Sequence, residues 1–88
     1  MNSKTYYEAL EDFKKALELR SEDQDVAGIY DGQGCCFQYL GDYDQAITFF
    51  NQAISAQPKN IKFLMNRSYC YFVLGSYQDA IYDLEKAL

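Results

Sequence analysis

Among its 88 residues the chain has no histidine, one proline, five glycines, three cysteines and only eight lysines and arginines. Each shortage removes a class of function. Without histidine no Ser-His-Asp or Cys-His catalytic set can be assembled, and no glycine-rich phosphate loop is present, so no catalytic residue and no enzyme are expected. The same absence, with no Cys-x-x-Cys, leaves almost no material for a zinc site, and neither metal nor cofactor is expected. Cys35 and Cys36 are adjacent and do not readily bridge, and any pairing with Cys70 leaves one thiol over. We read them as core or groove-lining thiols of an intracellular chain. The few basic residues are scattered and the net charge is −5, which argues against a nucleic-acid partner. No apolar run is long enough to span a bilayer and the N-terminus lacks a signal-peptide core. No membrane partner is expected, and the default location is cytoplasmic.

What is present points to helices. Apolar residues make up 49% and charged residues 24% of the chain, with nine Tyr and six Phe, a composition that folds rather than stays disordered. Ala, Leu, Glu, Lys and Gln are frequent and breakers are few. The length suits one compact unit at the small end of what a single core stabilises.

The chain repeats itself. Shifted by 34 residues, Leu40 matches Leu74, Gly41 matches Gly75, Tyr43 matches Tyr77 and Ala46-Ile47 match Ala80-Ile81. Cys36 and Phe37 likewise match Cys70 and Tyr71 upstream. In each copy the second half, Tyr43, Ala46-Ile47, Phe50 and Ala53-Ile54 in the first, steps by three and four and forms one helix face. Asp42 and Ser76 precede these helices as N-caps, and Gly41 and Gly75 stand where the preceding helix must end and the chain reverse. Pro58 stops the second helix of the first copy. The first half of each copy is also helical, with a small residue, Gly34 or Ser68, between large ones so that a neighbouring helix can approach. A partial copy stands in front: Tyr6, Ala9-Leu10, Phe13 and Ala16-Leu17 repeat the spacing at an offset of 37, with Thr5 as its expected N-cap. The extra residues fall in "RSEDQD", Arg20 to Asp25, read as a longer turn or an extension of the next helix. Five helices are predicted, over 5–20, 25–39, 43–56, 60–73 and 77–88.

These residues resemble the tetratricopeptide repeat. The copy over 27–60 matches its pattern at Tyr30, Gly34, Phe37, Gly41, Tyr43, Ala46, Phe50, Ala53 and Pro58. The copy over 61–88 matches at Leu64, Tyr71, Gly75, Tyr77, Ala80 and Ala87 and lacks the closing proline; residues 5–23 hold the second helix of a partial repeat and the acidic turn. Gln33 and Arg67 stand where Leu is usual and are expected to loosen local packing. The resemblance implies an all-α, right-handed superhelical solenoid of antiparallel helix pairs over 1–88. It also implies a protein-protein interaction module, an adaptor or scaffold, that binds a partner peptide or helix in a concave groove lined by the first helix of each pair.

Away from the packing face, those first helices offer Asp31, Cys35 and Gln38 in one copy and Lys62, Met65, Asn66, Tyr69 and Phe72 in the other, which form the expected peptide-binding groove. Gly28, Gly32, Tyr39 and Val73 share the stripe, and Gly28-x-x-x-Gly32 is read as a locally loose helix above a shallow groove. Asn66 can pair with a peptide backbone in both senses, beside apolar anchors. "NRSYCY", Asn66 to Tyr71, also resembles the repeat domains that clamp the acidic C-terminal tails of heat-shock chaperones, in which the matching Asn bonds the terminal carboxylate. Where that group has Lys and Asn in the preceding repeat, this chain has Asp31 and Cys35, and an aspartate there repels a carboxylate. Asp42, Asp44, Asp79, Asp83 and Glu85 are read as a solvated outer face. Because the chain opens and closes on second helices, both ends are expected to expose apolar surface. Self-association into a homo-oligomer through an end helix is the alternative function, and a chaperone-tail receptor the other.

Overall fold

The computed structural model describes residues 3–19 and 25–88. Over these residues it holds five helices and no strand: α1 (Ser3–Glu18), α2 (Val26–Tyr39), α3 (Tyr43–Ala56), α4 (Ile61–Val73) and α5 (Tyr77–Ala87). The predicted helices are all found, with ends displaced by two residues or fewer. Residues 20–24 lie outside the described residues, and with them most of the expected acidic turn. Its last residue, Asp25, caps α2, its carboxylate accepting from the Gly28 N–H at 2.9 Å.

The two reversals are built alike. At the end of α2 the Asp42 N–H donates to the Phe37 carbonyl at 2.9 Å and the Gly41 N–H to that of Gln38 at 3.0 Å. At the end of α4 Ser76 and Gly75 do the same toward Tyr71 and Phe72, at 2.8 and 3.1 Å. This double bond satisfies the orphan carbonyls of a helix end and requires a left-handed residue. Gly41 and Gly75 supply it at φ 84° and 82°. Asp42 then caps α3 by accepting from the Gln45 N–H at 3.2 Å. Two caps depart from expectation. Ser76 holds the N-cap position of α5 but its side chain makes no cap bond, and α1 begins at Ser3, so Thr5 lies inside its first turn rather than ahead of it.

Helix α2 packs between α1 and α3, and α4 between α3 and α5. The core is divided accordingly: Ala27, Ala53, Ile54, Phe63 and Leu64 form one cluster, and Ala46, Phe50 and Cys70 another. Small residues set the approach, as the repeat pattern implied. A Cβ built at Gly34 would lie 2.6 Å from Phe50 Cε1, and one at Gly32 2.5 Å from Phe13 Cζ. Gly32 is therefore a seat for the Phe13 ring of α1, not part of a loose helix over a shallow groove. The result is a solenoid of antiparallel helix pairs, a slab of 37 × 32 × 16 Å.

Candidate functional site

The expected groove residues divide into two groups. Asp31, Cys35, Lys62 and Asn66 come together where α2 and α4 run side by side. The Asn66 amide donates to Asp31 Oδ1 at 2.8 Å and its nitrogen lies 3.9 Å from Cys35 Sγ. Lys62 Nζ stands 3.6 Å from Asp31 Oδ2. Asp31 is buried while the Lys62 side chain is 73% exposed, so the ammonium keeps donors for another group. Burial, and next the Asp31 carboxylate, push the Cys35 thiol up to about 11. Burial raises Cys70 to about 11 as well. Both are protonated thiols at neutral pH and poor nucleophiles.

Tyr69 and Phe72 turn instead toward α5. With Tyr77, Ala80, Ile81 and Leu84 they line a cavity of about 370 Å³. Tyr69, Phe72, Tyr77, Ile81 and Leu84 are each at least 45% exposed, a contiguous apolar surface of the kind that marks an interaction site. Met65 is exposed beside it, and Gln38 is half-buried on α2. The equivalent surface of the preceding pair is not open. Ala46 and Phe50, with Cys35, Tyr43 and Ile47 around them, are covered by Cys70 of α4, and the Tyr43 ring meets Tyr69 at 6.4 Å. Helix α4 thus occupies on the first pair the seat that lies open on the second.

On the other side, the outer helices flank two crevices. In the crevice over α4, Arg67 rises from the floor to both walls. Its Nε and Nη2 donate to the two oxygens of Asp83 on α5 at 2.7 and 2.6 Å, and its Nη1 donates to Asn51 Oδ1 on α3 at 2.8 Å. The guanidinium lies 5.7 Å from the Tyr71 ring centroid, and the bond to Asp83 raises its pKa. Two sequence expectations are overturned here. Asp83 is 1% exposed rather than solvated, and Arg67 ties three helices together rather than loosening them. A signal for this was present: Asp83 stands on the packing face with Ala80 and Ala87, at steps of three and four, opposite a base.

In the crevice over α2, Gln33 stands at the position of Arg67. The walls carry Tyr7, Leu10, Glu11 and Lys14 from α1 and Phe49 from α3, around a cavity of about 490 Å³. Phe37 and Phe49 stack at 5.3 Å and 13°. Gln33 is buried, and its Oε1 has no hydrogen-bond partner.

No described helix is long and apolar enough to cross a membrane. Among known proteins, the chain is similar to sperm-associated antigen 1 of Homo sapiens, 25% identical over 88 residues, all of this chain and 9% of that protein. It is also similar to the Hsp70-Hsp90 organizing protein of Triticum aestivum, 29% identical over 110 residues, 99% of this chain and 19% of that protein. The chain spans less than a fifth of the length of either relative. The solved structure of MamA superposes with a TM-score of 0.84 at 23% identity, over 94% of this chain and 47% of that one, a likeness that shows the fold. Tetratricopeptide repeat models match residues 1–59 and 32–88. With two repeats in register, two matching glycine reversals and these matches across its whole length, the chain belongs to the tetratricopeptide repeat family.

Proposed function

We propose that the chain is a protein-interaction module whose α4–α5 cavity takes an apolar helix from a partner protein. The Asp31–Lys62–Asn66 group beside it sets the register of that helix. One observation carries the reading: the equivalent surface of the first pair already holds a helix, α4, through Cys70 and Tyr69. The name of the wheat relative, an organizing protein of Hsp70 and Hsp90, agrees with a protein-binding role. A helix fits better than an acidic tail. The Asn66 amide nitrogen faces Asp31 and Cys35, and the Asp31 carboxylate beside it repels a terminal carboxylate. A second copy of the chain could supply the helix, which is the self-association reading, and it uses the same cavity.

A labelled peptide of residues 60–74 tests this, since it reproduces the helix seated on the first pair. Fluorescence anisotropy should show saturable binding that Ile81→Asp abolishes and Glu85→Ala leaves intact. Absence of binding, or binding indifferent to Ile81→Asp, would sink the reading. Sedimentation of the chain with and without Ile81→Asp tests the homotypic form. Asn66→Ala should cost about 1–3 kcal/mol of stability, because buried Asp31 loses its 2.8 Å donor. Urea unfolding of that variant checks the figure and separates lost binding from lost fold.

A further inference from the structure

We propose that the outer crevice over α2 is a second binding site, built to take a tryptophan side chain from a protein partner. The site is separate from the α4–α5 cavity, shares no residue with it, and stands or falls independently of it.

The evidence is a comparison within the molecule. Over α4 the crevice is filled by the chain itself: Arg67 engages Asn51 on one wall and Asp83 on the other. Over α2 the equivalent positions are Gln33, Lys14 and Phe49. The shorter Gln33 bonds neither wall, and a cavity of about 490 Å³ opens between α1 and α3. Gln33 is 6% exposed and its Oε1 is unpartnered. A buried acceptor left without a donor costs about 1–3 kcal/mol, and a ligand that brings a donor recovers that cost.

The chemistry of the occupant follows from the lining. Phe37 and Phe49, stacked at 5.3 Å, and Leu10 offer aromatic and aliphatic surface, on which a flat ring packs by offset or edge contacts. A cation finds no buried acid here, since the wall that carries Asp83 over α4 carries Phe49 over α2, and the charges of Glu11 and Lys14 on the other wall offset one another. A phenol oxygen also carries acceptor lone pairs, which would draw a donor from Gln33 or Lys14. The indole N–H is a donor only. It can donate to the unpartnered Gln33 Oε1 and adds no acceptor that needs a partner of its own. Glu11 and Lys14, both exposed at the mouth, are of opposite charge and suit the peptide groups on either side of the ring. The cavity has room for the ring and the backbone that carries it, which favours a side chain over a free small molecule.

Two-dimensional NMR titration of the whole chain tests the proposal, with N-acetyl-tryptophanamide as probe and its 1-methyl-indole analogue and 3-methylindole as comparators. N-acetyl-tryptophanamide should shift the Gln33 side-chain amide and the Phe37 and Phe49 rings. The 1-methyl analogue should bind about fivefold more weakly for want of the N–H, and 3-methylindole should bind more weakly than the amide. Gln33→Leu should bring the first two probes to equal affinity. Gln33→Arg with Phe49→Asp and Lys14→Asn, which rebuilds the filled crevice, should abolish binding. The proposal is overturned by equal binding of the N–H and N-methyl probes to the wild type. Tighter binding of 3-methylindole than of the amide also overturns it, as do shifts confined to Tyr69, Phe72 and Ile81. The probe comparison on the wild type decides the matter even where a variant does not fold.

Discussion

Over α4 the floor residue Arg67 reaches both walls of its crevice, whereas over α2 Gln33 reaches neither. The floor and wall positions of the two crevices correspond, and the side chains at them differ. A buried carboxylate is tolerable at 1% exposure because both Asp83 oxygens receive charge-assisted bonds in fork geometry. The first crevice avoids burying a charge and leaves a cavity and an orphan acceptor instead. One crevice locks three helices; the other stays open to a partner.

The sharpest way to break this comparison is to remove the cation. Arg67→Leu should destabilise the chain by about 3–5 kcal/mol, because Asp83 is left buried without its partner. Urea unfolding measures it. Arg67→Gln with Asp83→Phe, which copies the floor and one wall of the first crevice into the second, should recover most of that loss. A double variant as unstable as Arg67→Leu would show that the crevices are not interchangeable.

A smaller effect separates the small residues on the two first helices. Gly34 abuts Phe50, which is fully enclosed, whereas Ser68 lines the open cavity beside Leu84. Gly34→Ala should cost about 1–3 kcal/mol by overpacking. Ser68→Ala should cost less than about 1 kcal/mol, since its hydroxyl bonds only the Met65 carbonyl of its own helix. Thermal unfolding of the pair gives the contrast.

The smallest effect lies at the turns. Asp42→Ala should lose about 1 kcal/mol, because its carboxylate caps α3 through the Gln45 N–H. Ser76→Ala should stay within about 0.5 kcal/mol, since Ser76 makes no side-chain cap bond. Equal losses, read by thermal unfolding, would place a cap at Ser76 after all.

Most of the fold was legible before the structure. The 34-residue period, the helix spans and the two glycine reversals follow from local rules: face periodicity, caps and the left-handed residue at a helix end. The close approach at Gly34 was implied by the same pattern, and the structure names Phe50 as what approaches it. The site was less legible. Asp31, Cys35, Lys62 and Asn66 were placed on one stripe and do meet, but the stripe did not reveal that Asp31 engages Asn66, or that Tyr69 and Phe72 turn toward α5. Asp83 was misread because an isolated acid on an amphipathic helix is most often solvated, and its partner lies on another helix.

By itself, then, the sequence determined how many helices form, where they stop and which faces are apolar, because each is settled within a few turns of the chain. Only the tertiary structure decided which polar groups find partners. Arg67 and Asp83 pair, and Gln33 stays alone, according to the distance and rotation between packed helices, which no single stretch of sequence contains.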